Sequence, residues 1–351
     1  MSAFTIEELV VPQNIDAPEA ADFSAAVAVM GEVEEHIIGT RDRAWTPEEF
    51  LPSCLDPYAP RRLWVARVDG RIVALGQHEL QLGDDERSVW FGIDVLPEYR
   101  RRGIGSALFE EIAAVARAAG DTTLQCYAQI AAGQDGERLA SPTGFGSVPA
   151  DAASTRFLRS RGYTLSQVNR LSRLTLPAQD REVRVAEGYE LETWTGPTPE
   201  HRLLDIAVLQ SRMSTDPPTG ESEYVEEVWD EQRVREGDAR HERDGRLWLM
   251  TAVRHVASDT LVGFTQIVAP RDTSRPAHQF NTIVLEEHRG HRLGMLLKLT
   301  NLRRLRDESG QHPCIYTWNA EENRPMLDVN EAMGFVPAGY EGVWKGAIGT
   351  E

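Results

Sequence analysis

The sequence contains the same long segment twice. "WFGIDVLPEYRRRGIGSALFEEI", beginning at residue 90, and "QFNTIVLEEHRGHRLGMLLKLTNL", beginning at 279, align at a constant offset of 189, pairing Val95 with Val284, Arg100 with Arg289 and Gly105 with Gly294. The same offset pairs Tyr127 in "LQCYAQ" with Tyr316 in "CIYTWN", short apolar runs of the kind that form buried strands. Upstream, "WVARVDGRIVALGQ" (64–77) and "WLMTAVRHVASDTLVGFTQ" (248–266) each read as a strand hairpin that opens on a tryptophan and turns at a polar pair or triplet. Four landmarks recurring in one order mean an internal duplication, so the fold must be one that each half can build.

Each copy runs strand, glycine-bearing turn, helix, strand. Between the turn and the second strand, Leu108, Ile112, Val115 and Ala119 recur at helical spacing before Gly120, and Leu296, Leu299, Leu302 and Leu305 do so before Gly310. After the second strand the copies diverge. The first carries a Gly/Ser/Pro-rich loop at 130–154 and then a helix ending at Gly162-Tyr163; the second enters "NAEENRPMLDVNEAMGF", a helix with Pro325 near its start and Gly334-Phe335 past its end. A length of 351 residues suits two cores. The charged stretch "LPAQDREVRVAEGYE" places the boundary near residue 178, giving domains 1–178 and 179–351.

Charge narrows the partners. With 55 acidic against 37 basic side chains, the net charge of -18 speaks against nucleic acid and anionic membrane and suits an amine-bearing partner. No apolar run approaches the roughly 18 residues of a membrane span, and "MSAFTIEELVVPQ" has acids where a signal peptide needs bases, so a cytoplasmic protein is expected. Three cysteines without C-x-x-C spacing argue against a disulfide framework or a zinc knuckle. His288 and His291, with Glu286 and Glu287, lack a third ligand and its helix, so no metal is expected.

The repeated turn is what carries chemistry. At a strand–turn–helix junction, successive backbone N–H groups lack internal partners and point, with the helix dipole, at whatever sits there. Gly103 and Gly105 remove side chains that would hold phosphates off that backbone, and Arg100 adds a charge-assisted contact. A pyrophosphate is the natural occupant. Neither copy has the G-x-x-x-x-G-K-[ST] or G-x-G-x-x-G pattern of the common nucleotide folds.

"VLPEYRRRGIG", with a preceding antiparallel hairpin and a terminal helix ending in Gly-Tyr or Gly-Phe, resembles the GNAT N-acetyltransferases. Both halves carry the resemblance, as in tandem GNAT proteins of mycothiol-synthase-like architecture. It implies an α/β (α+β) fold class: two GNAT domains, each a mixed, mostly antiparallel sheet flanked by helices and splayed between its central strands. It also implies acetyl-CoA as the acyl donor and a small-molecule primary amine as acceptor. The cofactor-binding residues would be Val95, Arg100, Arg101, Arg102, Gly103, Ile104, Gly105 and Ser106 in the first copy. In the second they would be Val284, Arg289, Gly290, His291, Arg292, Leu293, Gly294 and Met295, with Asn319 and Asn323 from "TWNAEENRPM". The second copy departs from the motif at Arg292, which stands where the first has Gly103.

The tyrosine that many relatives place four residues before the final Gly-Phe, as an acid for the departing thiolate, is replaced by Leu158 and Asn330. Solvent, Asn330 or another hydroxyl such as Tyr316 would serve in its place, or the thiolate leaves without help. Candidates for a general base are Asp94 in the first copy and His278, or Asn281 with Thr282, in the second. No cysteine is placed to carry an acyl group, which implies direct transfer. Asn323 favours the C-terminal copy as the catalytic one. The alternative is an acyl-CoA-binding sensor or scaffold with one or both copies catalytically degenerate.

Overall fold

A computed structural model describes residues 4–82, 87–179 and 181–348. The chain divides into two compact units. Unit 1 comprises Met1–Asn169, Thr219–Val225 and Gly339–Glu351, and unit 2 comprises Arg170–Pro218 and Glu226–Ala338.

Unit 1 begins with β1 (Phe4–Leu9), α1 (Ala20–Ile38) and α2 (Pro47–Cys54), followed by the meander β2 (Arg61–Val68), β3 (Arg71–Leu82) and β4 (Arg87–Val95). The duplicated turn leads into α3 (Ile104–Ala118), then β5 (Thr123–Ala131). The Gly/Ser/Pro-rich segment, expected as loop, holds a short hairpin, β6 (Arg138–Ala140) with β7 (Ser147–Pro149), before α4 (Ala153–Arg159) and β8 (Thr164–Thr175), of which residues up to Asn169 belong to the unit. Strands β1 to β4 pair antiparallel in chain order, and β4 pairs β5 in parallel. One continuous core fills the unit, with Phe23, Val65, Val73, Leu75, Leu108 and Ile112 entirely shielded. Each such side chain contributes on the order of 2 kcal/mol. Helix α3 buries Ile104, Leu108, Ile112 and Ala116, which lie on one stripe because they fall at intervals of four.

Unit 2 repeats the plan with β9 (Tyr189–Thr195), α5 (Leu203–Thr215), α6 (Glu231–Arg243), β10 (Leu247–His255), β11 (Thr260–Ala269), β12 (Ala277–Val284), α7 (Leu293–Ser309), β13 (Cys314–Ala320) and α8 (Arg324–Met333). Strands β9 to β12 are antiparallel, and β12 pairs β13 in parallel. Pro325 sits in the first turn of α8, and Gly334 closes the helix in a left-handed conformation (φ 99°), as the sequence pattern requires.

The last strand, β14 (Val336–Ala347), pairs antiparallel with β5 from Gly339 to Ala347 and so completes the sheet of unit 1. Segment 216–230, between α5 and α6, is not helical. Its residues 219–225 lie in unit 1, where Glu223 exchanges two 2.7 Å hydrogen bonds with the Gln125 side chain and Tyr224 meets Tyr127 hydroxyl to hydroxyl at 2.6 Å.

Candidate functional site

Each unit opens its sheet at the same point. β4 and β5 are in register only at Trp90 with Gln125 and Phe91 with Cys126; β12 and β13 only at Ala277 with Ile315 and His278 with Tyr316. Beyond those pairs the parallel strands part, and the strand edges facing the gap lose their ladder partners. A second device is repeated with them. The Nε of Arg100 donates to the Val95 carbonyl at 2.9 Å, and the Nε of Arg289 donates to the Val284 carbonyl at 2.9 Å. Both arginines therefore pin the strand end to the turn, which adds a structural duty to the ligand contact expected from the sequence.

The turn itself needs two left-handed residues in each copy. In unit 1 they are Arg101 (φ 62°) and Gly103 (φ 89°), and in unit 2 Gly290 (φ 86°) and Arg292 (φ 58°). Arginine and glycine have exchanged places, so Arg292 preserves the turn that Gly103 makes. Its side chain is exposed. An L-residue in this region costs about 1–2 kcal/mol, a strain each copy carries once.

Helices α3 and α7 begin at these left-handed residues without a side-chain cap. The first inward bonds are from the Ala107 amide to Gly103 at 3.0 Å and from the Leu296 amide to Arg292 at 3.1 Å. The N–H groups of Ile104, Gly105 and Ser106, and of Leu293, Gly294 and Met295, precede those bonds and have no partner within the helix. The glycines differ in their surroundings. A Cβ on Gly105 would meet Phe157, Val95 and Ile93 at 3.6–3.9 Å, whereas one on Gly294 would meet nothing within 4 Å. No protein packing at Gly294 demands glycine, and the space beside it is what an anionic group needs to reach the amides.

In unit 1, Asp94 stands on β4 one residue before the pinned carbonyl. Its side chain is half-buried, and desolvation, reinforced by Glu34 and opposed by Arg100, pushes its pKa up to about 7. Glu34 itself is held by Arg43 at 2.6 Å. Arg102 turns back onto the Glu98 carbonyl at 2.8 Å. Arg161, which no motif marks, lies over the Phe157 ring, its Cζ 3.8 Å from the centroid, and donates to Ser106 Oγ at 2.7 Å, placing a second guanidinium at the mouth of the first cradle. Its signal in the sequence is only its place just before the terminal Gly162-Tyr163.

In unit 2 the predicted residues hold separate places. His278 stacks on Trp318, with ring centroids 5.8 Å apart and planes 8° apart, at the vertex of the opening. Thr282 joins Thr265 at 2.7 Å within the β11–β12 ladder, and Asn281 reaches Gln210 at 3.4 Å. Asn330 is buried and bonds Asn319 at 2.7 Å and the Nζ of Lys298 at 2.8 Å. Asn323 caps α8 through its Oδ1, which accepts from the Met326 amide at 3.4 Å and leaves its Nδ2 for other partners. His291 flanks Tyr189, which hydrogen-bonds His288 at 3.0 Å. All three cysteines are buried, and burial raises the thiol pKa of Cys54, to about 11, and of Cys126.

Comparison with known proteins agrees with this geometry. Residues 30–140 match the family model described as the acetyltransferase (GNAT) family. Comparison with curated proteins gives no significant match. Over 99% of its length the chain superposes on all of a tandem GNAT protein from the clavulanic acid biosynthesis pathway (TM-score 0.76, 24% identity). Over 99% it also superposes on 96% of a GCN5-related N-acetyltransferase from Sphaerobacter thermophilus (TM-score 0.64, 15% identity). Over 98% it superposes on 78% of the Saccharomyces cerevisiae N-myristoyltransferase with bound myristoyl-CoA (TM-score 0.57, 10% identity). The fold is that of a tandem GNAT protein, mixed α/β with mostly antiparallel sheets, and the family match lies within the first copy. No helix among the described residues is long and apolar enough to cross a membrane.

Proposed function

We propose that the protein is a cytoplasmic N-acetyltransferase that moves an acetyl group from acetyl-CoA to the primary amine of a small molecule, with unit 2 as the catalytic copy. One observation carries this reading: in each unit an uncapped helix start, two left-handed turn residues and a parting pair of parallel strands converge on one place. The open space at Gly294 fits a pyrophosphate against the first turn of α7. Leu293, Gly294 and Met295 would supply its amide donors, with Arg289, Gly290, His291 and Arg292 around them; Ile104, Gly105 and Ser106, with Arg100 to Gly103, are the counterparts in unit 1. When bound, acetyl-CoA supplies an activated thioester carbonyl. The freed edges of β4 after Phe91 and of β12 after His278 present backbone N–H groups able to polarise such a carbonyl. Val95 and Val284 close those edges, each fixed by its arginine.

The test is calorimetric titration of the full chain with acetyl-CoA, followed by thiol release across a panel of primary amines. Two binding sites and amine-dependent release are the expected result. Absence of binding at unit 2 overturns the assignment.

A second reading, in which unit 1 performs the chemistry, is favoured by Asp94. A carboxyl titrating near 7 is well matched to taking a proton from an ammonium. On that reading kcat/KM rises with pH to a plateau above about 7, and Asp94→Asn removes the limb and lowers the plateau by about 10²–10⁴-fold. If unit 2 is the catalytic copy, the substitution leaves turnover unchanged and acts on stability alone. The sign of that effect follows from the raised pKa. The stabilisation conferred by the neutral carboxyl is whole below the unfolded value and is lost as pH rises through 7. Asp94→Asn should therefore raise the melting temperature at pH 8 and change it little at pH 4.

A further inference from the structure

Helix α7 buries a lysine. Lys298 is 1% exposed, and its Nζ has one hydrogen-bond partner, Asn330 Oδ1 at 2.8 Å. Asn330, itself 1% exposed, passes its Nδ2 to Asn319 Oδ1 at 2.7 Å. Asn319 lies on β13 three residues past the last pair with β12, so it stands where the strands have parted. Its own Nδ2 has no acceptor among the described residues. The chain thus runs Lys298, Asn330, Asn319, gap.

Unit 1 fills the same three places with carbon. The offset of 189 puts Phe109 at Lys298 and Ile130 at Asn319, and counting back four from the left-handed Gly162 and Gly334 puts Leu158 at Asn330. All three belong to the continuous core of unit 1, at 8%, 3% and 3% exposure. The fold therefore accepts an apolar set here, and a buried ammonium with a single partner is expensive by comparison. Three linked polar residues in unit 2 call for a reason other than packing.

We infer that Lys298 and Asn330 are positioning residues for unit 2: the lysine ammonium fixes the direction of the Lys298–Asn330–Asn319 chain, so that Asn319 presents an N–H donor to a thiolate sulfur in the gap between β12 and β13. An ammonium can only donate, so Asn330 must turn its Oδ1 to the lysine and its Nδ2 to Asn319, and the last free group is then a donor. A neutral amine can accept, which releases both amides to turn over and to show the gap an oxygen instead. In the transfer step the carbonyl carbon forms a bond to the amine nitrogen and breaks its bond to sulfur. The electron pair stays on sulfur, and the amine's proton passes to a base. The donor of Asn319 stabilises that sulfur before solvent protonates it. Burial lowers the pKa of Lys298 to about 7, so the directing charge is present below neutrality and lost above it.

This inference rests on coenzyme A binding in unit 2, and its test separates the two. The full chain carrying Gly105→Glu, which closes the cradle of unit 1, is titrated with coenzyme A, and the ionisation of the bound thiol is followed by thiolate absorbance. In this background, at pH 6.5, where Lys298 carries its charge, the thiolate fraction of the bound thiol should be about tenfold higher than in the same chain with Lys298→Met. With acetyl-CoA and an accepted amine, Lys298→Met should lower kcat about 100-fold, with KM for the donor changed less than about threefold, and should abolish the fall in kcat above pH 7. The triple variant Lys298→Phe, Asn319→Ile, Asn330→Leu, built from side chains that already pack together in unit 1, should melt at a higher temperature and show the same losses. If coenzyme A does not bind, the proposed function fails. If it binds and thiol ionisation and pH profile are the same with and without Lys298, the inference is overturned. Variants that merely melt lower, with unchanged chemistry once folded, overturn it as well.

Discussion

Placing a glutamate at position 294 should weaken acetyl-CoA binding by unit 2 at least about 100-fold and leave the fold intact. The two parts of that result have separate causes. A Cβ at Gly294 meets nothing within 4 Å, and the residue lies in the first turn of α7, where an acidic side chain favours the helix dipole. The substitution therefore costs little in the folded protein. The same carboxylate competes for the amides of Leu293 to Met295 and repels a phosphate about 5 Å away by ~3 kcal/mol at an effective dielectric near 20, which corresponds to about two orders of magnitude in Kd. Calorimetry on Gly294→Glu beside a melting curve checks both parts. Gly105→Glu should produce the same loss at unit 1 with a lower melting temperature, because its side chain must leave past Phe157 and Val95. Gly105→Ala, whose methyl finds ordinary contact distances, should keep binding within a few-fold.

Gly263→Val should be the most destabilising single change close to the site. Gly263 pairs with Val284, and a Cβ there would stand 2.7 Å from the Ile283 carbonyl oxygen and 3.2 Å from the Val284 Cα. Backbone cannot rotate away as a side chain can, so β12 must move. Overpacking of this kind costs on the order of 3 kcal/mol, or roughly 6–12 °C in melting temperature for a unit of this size. The displaced residues include the carbonyl that Arg289 pins, so acetyl-CoA binding at unit 2 should fall with stability while unit 1 keeps its own. Unit 1 holds Ala74 opposite Val95 without penalty. The demand for glycine is local to unit 2, where the β11–β12 register shifts between Thr265 and Ile267.

Much of this architecture is legible in the sequence because the duplication supplies its own check. An offset of 189 that pairs Val95 with Val284 and Arg100 with Arg289 reappears as two strand ends, each with an arginine Nε on its last carbonyl. What the sequence does not reveal is conformational or non-local. "RGHRLG" reads as a damaged copy of "RRRGIG", but two left-handed positions can be shared between arginine and glycine in either order, and only φ values show that the turn is the same. Arg161 reaches Ser106 across 55 residues of sequence, and no spacing rule covers such a contact. Lys298 reads as one more solvent-side lysine on a leucine-rich helix. Its burial becomes visible only with its partner, Asn330, packed against it.

The discontinuity of unit 1 bears on how the chain is made. Its sheet needs β14, whose residues 339–347 lie near the end of the described structure and leave the ribosome late, and it takes residues 219–225 from within the second half. Until then β5 keeps one backbone edge bare over its whole length, from Thr123 to Ala131, open to association with other nascent chains. The half that is translated first is therefore the half that finishes last, and a net charge of -18, which sets like chains apart, works against association at that edge.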